Sequence, residues 1–93
     1  MRITVDVSMY PLDQDFVTPI KDVIHNLRRC SGIELVTNQM STQLRGDFDA
    51  VTAAVNACMK QAMQGDTRAV FVTKYINADL DIQNAPETGE GSG

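Results

Sequence analysis

RITVDVSM, residues 2–9, alternates apolar and polar side chains with a period of two. The apolar positions are Ile3, Val5, Val7 and Met9, and the polar side continues in the same phase as Thr4, Asp6, Ser8 and Tyr10. This period is typical of a strand that is buried on one side only. Pro11 has no backbone N–H to donate to a sheet ladder, so we expect the strand to end there.

An apolar stripe with helical spacing follows this strand. Its members recur close to the period of an amphipathic helix and are Phe16, Ile20, Val23, Ile24, Leu27 and Cys30. Thr18 is predicted to cap the helix and Pro19 to take its first position. Gly32 suits the left-handed residue that commonly ends a helix. The sequence therefore predicts a first helix directly after the first strand.

Three more segments are predicted to be strands. They cover residues 33–37, 39–45 and 69–76, and the last of them, AVFVTKYI, is rich in β-branched and aromatic residues. In the run 39–45, Met40, Thr42 and Leu44 are predicted to share one face, as their spacing of two requires.

A second helical stripe lies between the last two of these strands. It consists of Val51, Ala54, Val55, Cys58, Met59, Ala62 and Met63. Gly46 is predicted to break the strand before it, Asp47 to cap the helix, and Gly65 to stop it. The order βαββαβ predicts an α+β, ferredoxin-like fold, with a four-stranded antiparallel sheet and two helices on one face. This domain is expected over residues 1–83, and the polar, glycine-rich residues 84–93 are expected to be a flexible tail.

Charge and cysteine content narrow the function classes. Twelve acidic residues against eight basic ones give a net charge of −4, and the basic residues are scattered, so we do not expect nucleic-acid binding. Cys30 and Cys58 fall on helical stripes without a CxxC motif, which favours small buried side chains over a disulfide or a metal site. A leader-like segment or membrane span is not evident, so the cytoplasm is the expected location.

Because both helices are predicted on one side, the other sheet face needs a partner. The first strand gives that face hydroxyls, a carboxylate and an aromatic ring. The last strand gives it one of two sets, either Val70, Val72, Lys74 and Ile76 or Ala69, Phe71, Thr73 and Tyr75. Both sets are too apolar to be left in water, which predicts a subunit interface, a small-molecule cleft formed with a second subunit, or both.

Three segments resemble the thiamine-binding, YkoF-like family: MYPLD (9–13), MSTQLRGDFDAV (40–51) and AMQGDTRAV (62–70). The matching positions are Tyr10, Pro11, Leu12, Thr42, Gly46 and Asp47, and the resemblance covers residues 2–76. It implies a ferredoxin-like protein that binds thiamine or its hydroxymethylpyrimidine moiety, without a cofactor and without catalysis. It also implies association with other copies through the sheets, as a dimer or tetramer. Arg45 departs from the glutamate that many relatives carry.

An aminopyrimidine needs hydrogen-bond acceptors for its amino group, donors for its ring nitrogens and an apolar or aromatic surface for its faces. A thiazolium adds a positive charge that an aromatic ring or a carboxylate favours. Ser8, Tyr10 and Thr42 are therefore the first candidates for ligand contact, followed by Asn38 and Asp6. Each also has a structural alternative, such as a hydroxyl between strands or an amide in a turn.

Two other function classes stay open. One is a structural or regulatory interaction module whose sheet face serves assembly alone. The other is a small hydrolase or isomerase, which needs a polar cluster around a pocket. His25 lies beside the apolar stripe of the first helix without a predicted nucleophile, and a phosphate-binding glycine loop is not evident. We therefore predict no catalytic and no metal-binding residues.

Overall fold

A computed structural model describes residues 1–12, 14–15, 17–66 and 68–85. Within these residues the element order is βαββαβ. The elements are β1 (Arg2–Pro11), α1 (Val17–Arg28), β2 (Ile33–Thr37), β3 (Thr42–Asp47), α2 (Phe48–Met63) and β4 (Ala69–Ile76). The strands form one antiparallel sheet in the order β2-β3-β1-β4. The predicted ferredoxin-like fold is confirmed. Phe16 and residues 86–93 of the predicted tail lie outside the described residues.

The hydrophobic core lies between the two helices and one face of the sheet. The sheet contributes Ile3, Val5, Val7 and Leu44, α1 contributes Val23 and Leu27, and α2 contributes Val51, Ala54, Val55 and Cys58. These residues come from the alternating positions of β1 and β3 and from the apolar stripes of both helices. Met63, at the end of the second stripe, is 58% exposed and does not belong to the core.

Both cysteines are free thiols, as the sequence predicts. Cys58 is buried and Cys30 is half-buried. Burial raises the pKa of the Cys58 thiol, and the neighbouring Cys30 raises it further. Both side chains thus act as small apolar groups between the helices. In the described part of the chain, no helix combines the length and apolarity of a membrane span.

The start of α1 differs from the prediction. The backbone N–H of Thr18 donates to Oδ1 of Asp15 at 3.2 Å. The side chain that caps the N-terminus of the helix is therefore Asp15 and not Thr18. This hydrogen bond lowers the pKa of the Asp15 carboxyl. Pro19 still lies in the first turn, where backbone N–H groups have no partner within the helix, so the N–H that proline lacks is not needed there. The prediction of Thr18 as the cap was wrong because a carboxylate three residues earlier competes for the same role.

The third strand begins at Thr42 and not at residue 39, because the residues before it form a tight turn. Oδ1 of Asn38 accepts from the N–H of Met40 at 2.9 Å and from that of Ser41 at 3.0 Å. The N–H of Asn38 donates to the carbonyl of Ser41 at 3.0 Å. An asparagine side chain that replaces backbone partners in this way favours a turn over a strand. Met40 consequently does not share a strand face with Thr42.

The end of β3 leads directly into α2. Asp47 caps the helix as predicted, since its carboxylate accepts from the N–H of Asp49 at 3.3 Å. Gly46, however, pairs within the sheet and does not break the strand. A Cβ at Gly46 would lie 2.8 Å from the carbonyl oxygen of Gly32 and 3.3 Å from Cγ2 of Val51. Gly32 has a φ of 79°, so the predicted left-handed turn at this residue is confirmed.

The register of β1 and β4 decides which side chains lie away from the helices. Ser8 pairs with Val72 and Asp6 with Lys74, and directly opposed residues lie on the same side of a sheet. We call this side the helix-free face. The residues of β4 on it are Val70, Val72, Lys74 and Ile76, which settles the choice that the sequence left open.

One end of the helix-free face is covered by the chain itself. We call residues 77–83, which follow β4, the return segment. The hydroxyl of Thr4 donates to the carbonyl of Ala78 at 2.8 Å and accepts from the N–H of Leu80 at 2.9 Å. Arg45 donates to the carbonyl of Leu80 at 2.6 Å and pairs with Glu34. Thr4, expected on an open face, is therefore only 3% exposed.

Candidate functional site

A cavity of about 300 Å³ lies beside the end of β1, beyond the point where β3 begins, and we call it the β1-end cavity. Three pieces of structure form its walls: α1, the last residues of β1 and the turn between β2 and β3. The α1 wall consists of Ile20, Val23, Ile24 and Leu27. The rest of the lining is Val7, Ser8, Met9, Tyr10, Thr37, Asn38, Gln39, Met40, Ser41 and Thr42. The cavity thus joins an apolar helix surface to polar groups of the sheet.

The cavity exists because β1 continues beyond its partner. The pairing of β1 with β3 stops at Val7 and Thr42, whereas its pairing with β4 continues to Pro11 and Ala69. From Ser8 onward, β1 therefore has a strand on the β4 side alone. The other edge of these residues borders the cavity, and an edge of this kind offers backbone N–H donors and C=O acceptors.

Four of the five predicted ligand residues line this cavity, but they do not share one sheet face. Ser8 and Tyr10 belong to the helix-free face by register. Thr42 lies on the helix side, is 6% exposed, and has its hydroxyl oxygen 3.1 Å from that of Thr37. Its pairing with Val7, a core residue, turns Thr42 toward the helices and away from Ser8 and Tyr10. The cavity reaches both sides because it opens around the free edge of β1.

Asn38 and Asp6 hold the turn in place. The amide nitrogen of Asn38 donates to Oε1 of Gln43 at 3.2 Å, while its amide oxygen accepts from the N–H of Met40 in the turn. Oδ1 of Asp6 accepts from the hydroxyl of Ser41 at 2.5 Å and from the amide of Gln43 at 3.2 Å. Asp6 lies on the helix-free face and outside the cavity lining. These hydrogen bonds tie the turn to the middle of the sheet.

The sequence reasoning did not identify the α1 wall of the cavity. Ile20 and Ile24 belong to the predicted apolar stripe of this helix, and in the structure both are half-buried and line the cavity. The stripe contains more apolar residues than the two that α1 buries, Val23 and Leu27, and this surplus is the signal that was available. Thr37 was also missed, because the pairing of its hydroxyl with Thr42 depends on the hairpin register.

A larger cavity of about 500 Å³ lies between α1 and α2. It includes the carboxylates of Asp15, Asp22 and Asp66, together with His25. None of the five predicted ligand residues lines it. Its charged side chains are exposed, so water screens them and a ligand gains little from them. Among the described residues, no group of histidine, cysteine and carboxylate side chains is placed to hold a metal ion.

The uncovered part of the helix-free face is apolar. Tyr10, Val70 and Val72 are neighbours across β1 and β4, Ile76 follows beyond Lys74, and each of the four has 40% or more of its surface exposed. Lys74 lies among them and pairs in register with Asp6. Adjacent exposed apolar side chains on a small domain commonly mark an interaction surface.

Comparison with known proteins identifies a family. The model of the thiamine-binding protein family matches residues 5–88. No curated protein matches the chain.

Solved structures share the fold at low sequence identity. A Thermotoga maritima protein, assigned provisionally to thiamine biosynthesis or salvage, matches with a TM-score of 0.76 and 17% identity over 89% of this chain and 92% of that one. A Streptococcus pneumoniae protein matches with a TM-score of 0.73 and 22% identity over 97% and 92%. A domain of unknown function from Bacillus cereus matches with a TM-score of 0.71 and 17% identity over 89% and 85%.

Proposed function

The chain belongs to the thiamine-binding protein family, and on that premise we propose that it is a non-catalytic, oligomeric binding protein for thiamine or its hydroxymethylpyrimidine moiety. Its proposed role is carriage, sensing or salvage of this vitamin. The family and the role assigned to the T. maritima protein support a thiamine-related function. The observation that carries the proposal is the β1-end cavity, where a free strand edge, hydroxyl groups and an apolar helix wall meet.

The chemistry of this cavity suits an aminopyrimidine. Such a ring presents an amino donor beside acceptor nitrogens, and a free strand edge offers the complementary acceptors and donors. The hydroxyls of Ser8 and Thr42 both donate and accept. Tyr10 and the aliphatic side chains of α1 offer surface for the ring faces. The volume of about 300 Å³ is at the lower end of the range for small-molecule sites.

The absence of catalysis is proposed from the polar groups of the cavity. Among the described residues that line it, the polar side chains are hydroxyls and amides, without a histidine, cysteine, lysine or carboxylate. Hydroxyls and amides bind a neutral heterocycle well, but they need an activating partner to transfer protons or attack a substrate. Cytoplasmic location stays a prediction, and the free thiols of Cys30 and Cys58 fit a reducing compartment.

Binding of thiamine and of hydroxymethylpyrimidine is measured directly by isothermal titration calorimetry. We expect heat release with one site per subunit. Tyr10→Phe and Ser8→Ala should each weaken thiamine binding about fivefold, because each removes a hydroxyl whose hydrogen bond contributes roughly 1 kcal/mol. Thr73→Val is the matched control, since it removes a hydroxyl on the helix side of β4, outside the cavity. A folded, assembled protein that gives no heat and no thermal shift at millimolar ligand contradicts the proposal.

The oligomeric part of the proposal places a second copy on the helix-free face. The exposed apolar side chains of β4 support this, and the helices already cover the other face. Val72→Asp should convert the assembly to monomers in size-exclusion chromatography with light scattering, because it places a charge at the centre of the patch. Val17→Asp is the control, since Val17 at the start of α1 is 46% exposed against 44% for Val72. A wild-type monomer at high concentration contradicts this part.

The same patch favours a second candidate function. If the protein assembles through the helix-free face but binds no pyrimidine, it is a structural or regulatory interaction module, and the patch alone carries its role. The titration and the assembly measurement therefore separate the two functions.

A further inference from the structure

Met40 is unusual for an apolar side chain. It is 86% exposed, yet it lines the β1-end cavity at the tip of the turn between β2 and β3. Its exposure means that it contributes almost nothing to the core, so its side chain is available for contact with a ligand. Because Met40 makes few contacts with the rest of the protein, a ligand in the cavity could bury its apolar surface without breaking existing contacts.

The backbone that carries Met40 is well fixed. Within the turn, the oxygen of Asn38 accepts from two consecutive N–H groups, and Ser41 closes the turn through its carbonyl. Outside the turn, the hydroxyl of Ser41 and the amide of Gln43 both donate to Asp6 on the neighbouring strand. The turn is thus fastened from two sides. A free side chain on a fixed backbone can close over a ligand at a small entropic cost.

We propose that Met40 is a ligand-contacting residue that covers the ring of a flat nitrogen heterocycle in the β1-end cavity, and that Asp6 and Asn38 are positioning residues that hold its turn at the mouth. This inference rests on the proposed function and deepens it. It assigns Asp6 and Asn38 to the turn instead of to direct ligand contact. Both were candidates for contact, but both amide atoms of Asn38 and Oδ1 of Asp6 are engaged within the turn and the sheet.

The chemistry of a thioether defines the class of ligand. Sulfur is polarisable and makes favourable contacts with aromatic rings, and the unbranched side chain adapts to the outline of a bound molecule. Ile20 and Ile24 on α1 provide an aliphatic wall to the same cavity. A ring bound between the thioether and this wall is covered on its apolar faces, while its edge stays free to hydrogen-bond with β1. An aliphatic amine lacks such faces and gains less from Met40.

The test compares the affinity of Met40 variants for thiamine with their thermal stability. Met40→Ala should weaken thiamine binding about fivefold to tenfold with an unchanged melting temperature, because the exposed side chain supports the ligand and not the fold. Met40→Leu, which keeps most of the apolar surface, should stay within about threefold of wild type. Met63→Ala is the matched control, as Met63 is exposed at the end of α2 and outside the cavity.

A double-mutant cycle tests the positioning role of Asp6. Asp6→Ala should weaken binding in the wild-type background but add little in the Met40→Ala background, because its effect passes through the turn that carries Met40. Asp6→Asn keeps an oxygen acceptor and should restore most of the affinity. Equal thiamine affinity of Met40→Ala and wild type overturns the role of Met40, and full additivity overturns the role of Asp6. A wild-type protein that binds no thiamine refutes the proposed function itself.

Discussion

Replacing Gly46 with alanine is expected to lower the free energy of unfolding by about 2–3 kcal/mol, because the added methyl group has no room. The new Cβ would meet the carbonyl oxygen of Gly32 at 2.8 Å and Cγ2 of Val51 at 3.3 Å. The first of these neighbours is backbone and cannot rotate away. To relieve this steric overlap, β3 must move away from the turn that ends at Gly32 or from the first turns of α2. Either movement disturbs the packing of the core.

Urea denaturation monitored by circular dichroism measures this effect. Gly65→Ala is the matched control, since its nearest contact is an ordinary 3.4 Å to the carbonyl oxygen of Ala62. We expect that change to stay within about 0.5 kcal/mol of wild type. If the Gly46→Ala and Gly65→Ala proteins unfold at the same urea concentration, the close approach of β3 to the Gly32 turn is not as described.

Replacing Thr4 with valine is expected to cost about 2 kcal/mol of stability, because one hydroxyl makes two hydrogen bonds to the return segment. Valine has nearly the same shape, so the space between β1 and the return segment stays filled. The carbonyl of Ala78 and the N–H of Leu80 lose their partner, and Thr4 lies too deep for water to replace it without movement. The return segment should then leave this end of the sheet.

Native-state hydrogen exchange at the amide of Leu80 reports that release most directly. We expect fast exchange in Thr4→Val and retained protection in Thr4→Ser, which keeps the hydroxyl. Arg45 also holds the carbonyl of Leu80, so it limits how far the segment moves. Equal protection of the Leu80 amide in wild type and Thr4→Val contradicts the role of the Thr4 hydroxyl in holding the return segment.

The fold could be predicted from local patterns because β1 and both helices carry a clear period, while β2 and β4 are runs of residues that favour strands. The bounds of β2 and β4 were predicted to the residue. The start of β3 was predicted too early, at residue 39. The spacing of two between Met40, Thr42 and Leu44 continues through the turn before Thr42, so it does not show where the strand begins. The decisive contact, from the oxygen of Asn38 to two backbone N–H groups, is a matter of side-chain geometry that periodicity does not show.

The candidate site was only partly predictable, because it depends on register. Ser8 and Tyr10 were candidates because of their hydroxyl groups and the aromatic ring of Tyr10, and both line the cavity. That β1 continues past β3 follows from pairing between distant segments, and this overhang creates the cavity. Likewise, Thr4 is buried by the return segment. The sequence of this segment has no periodic pattern, so its packing position could not be predicted. Contacts between distant parts of the chain therefore set the features that sequence patterns missed.

The position of β1 inside the sheet also affects how the protein can be made. β1 is the first strand of the fold to be synthesised, yet it lies between β3 and β4, and β4 is the last. On a translating ribosome, β1 can pair with β3 while its other edge stays open until residues 69–76 have left the exit tunnel. Pairing of segments so distant in sequence is slow, because a long loop must close first. The arrival of β4 thus covers the open edge of β1 and completes the four-stranded sheet, in which β4 itself takes the edge position.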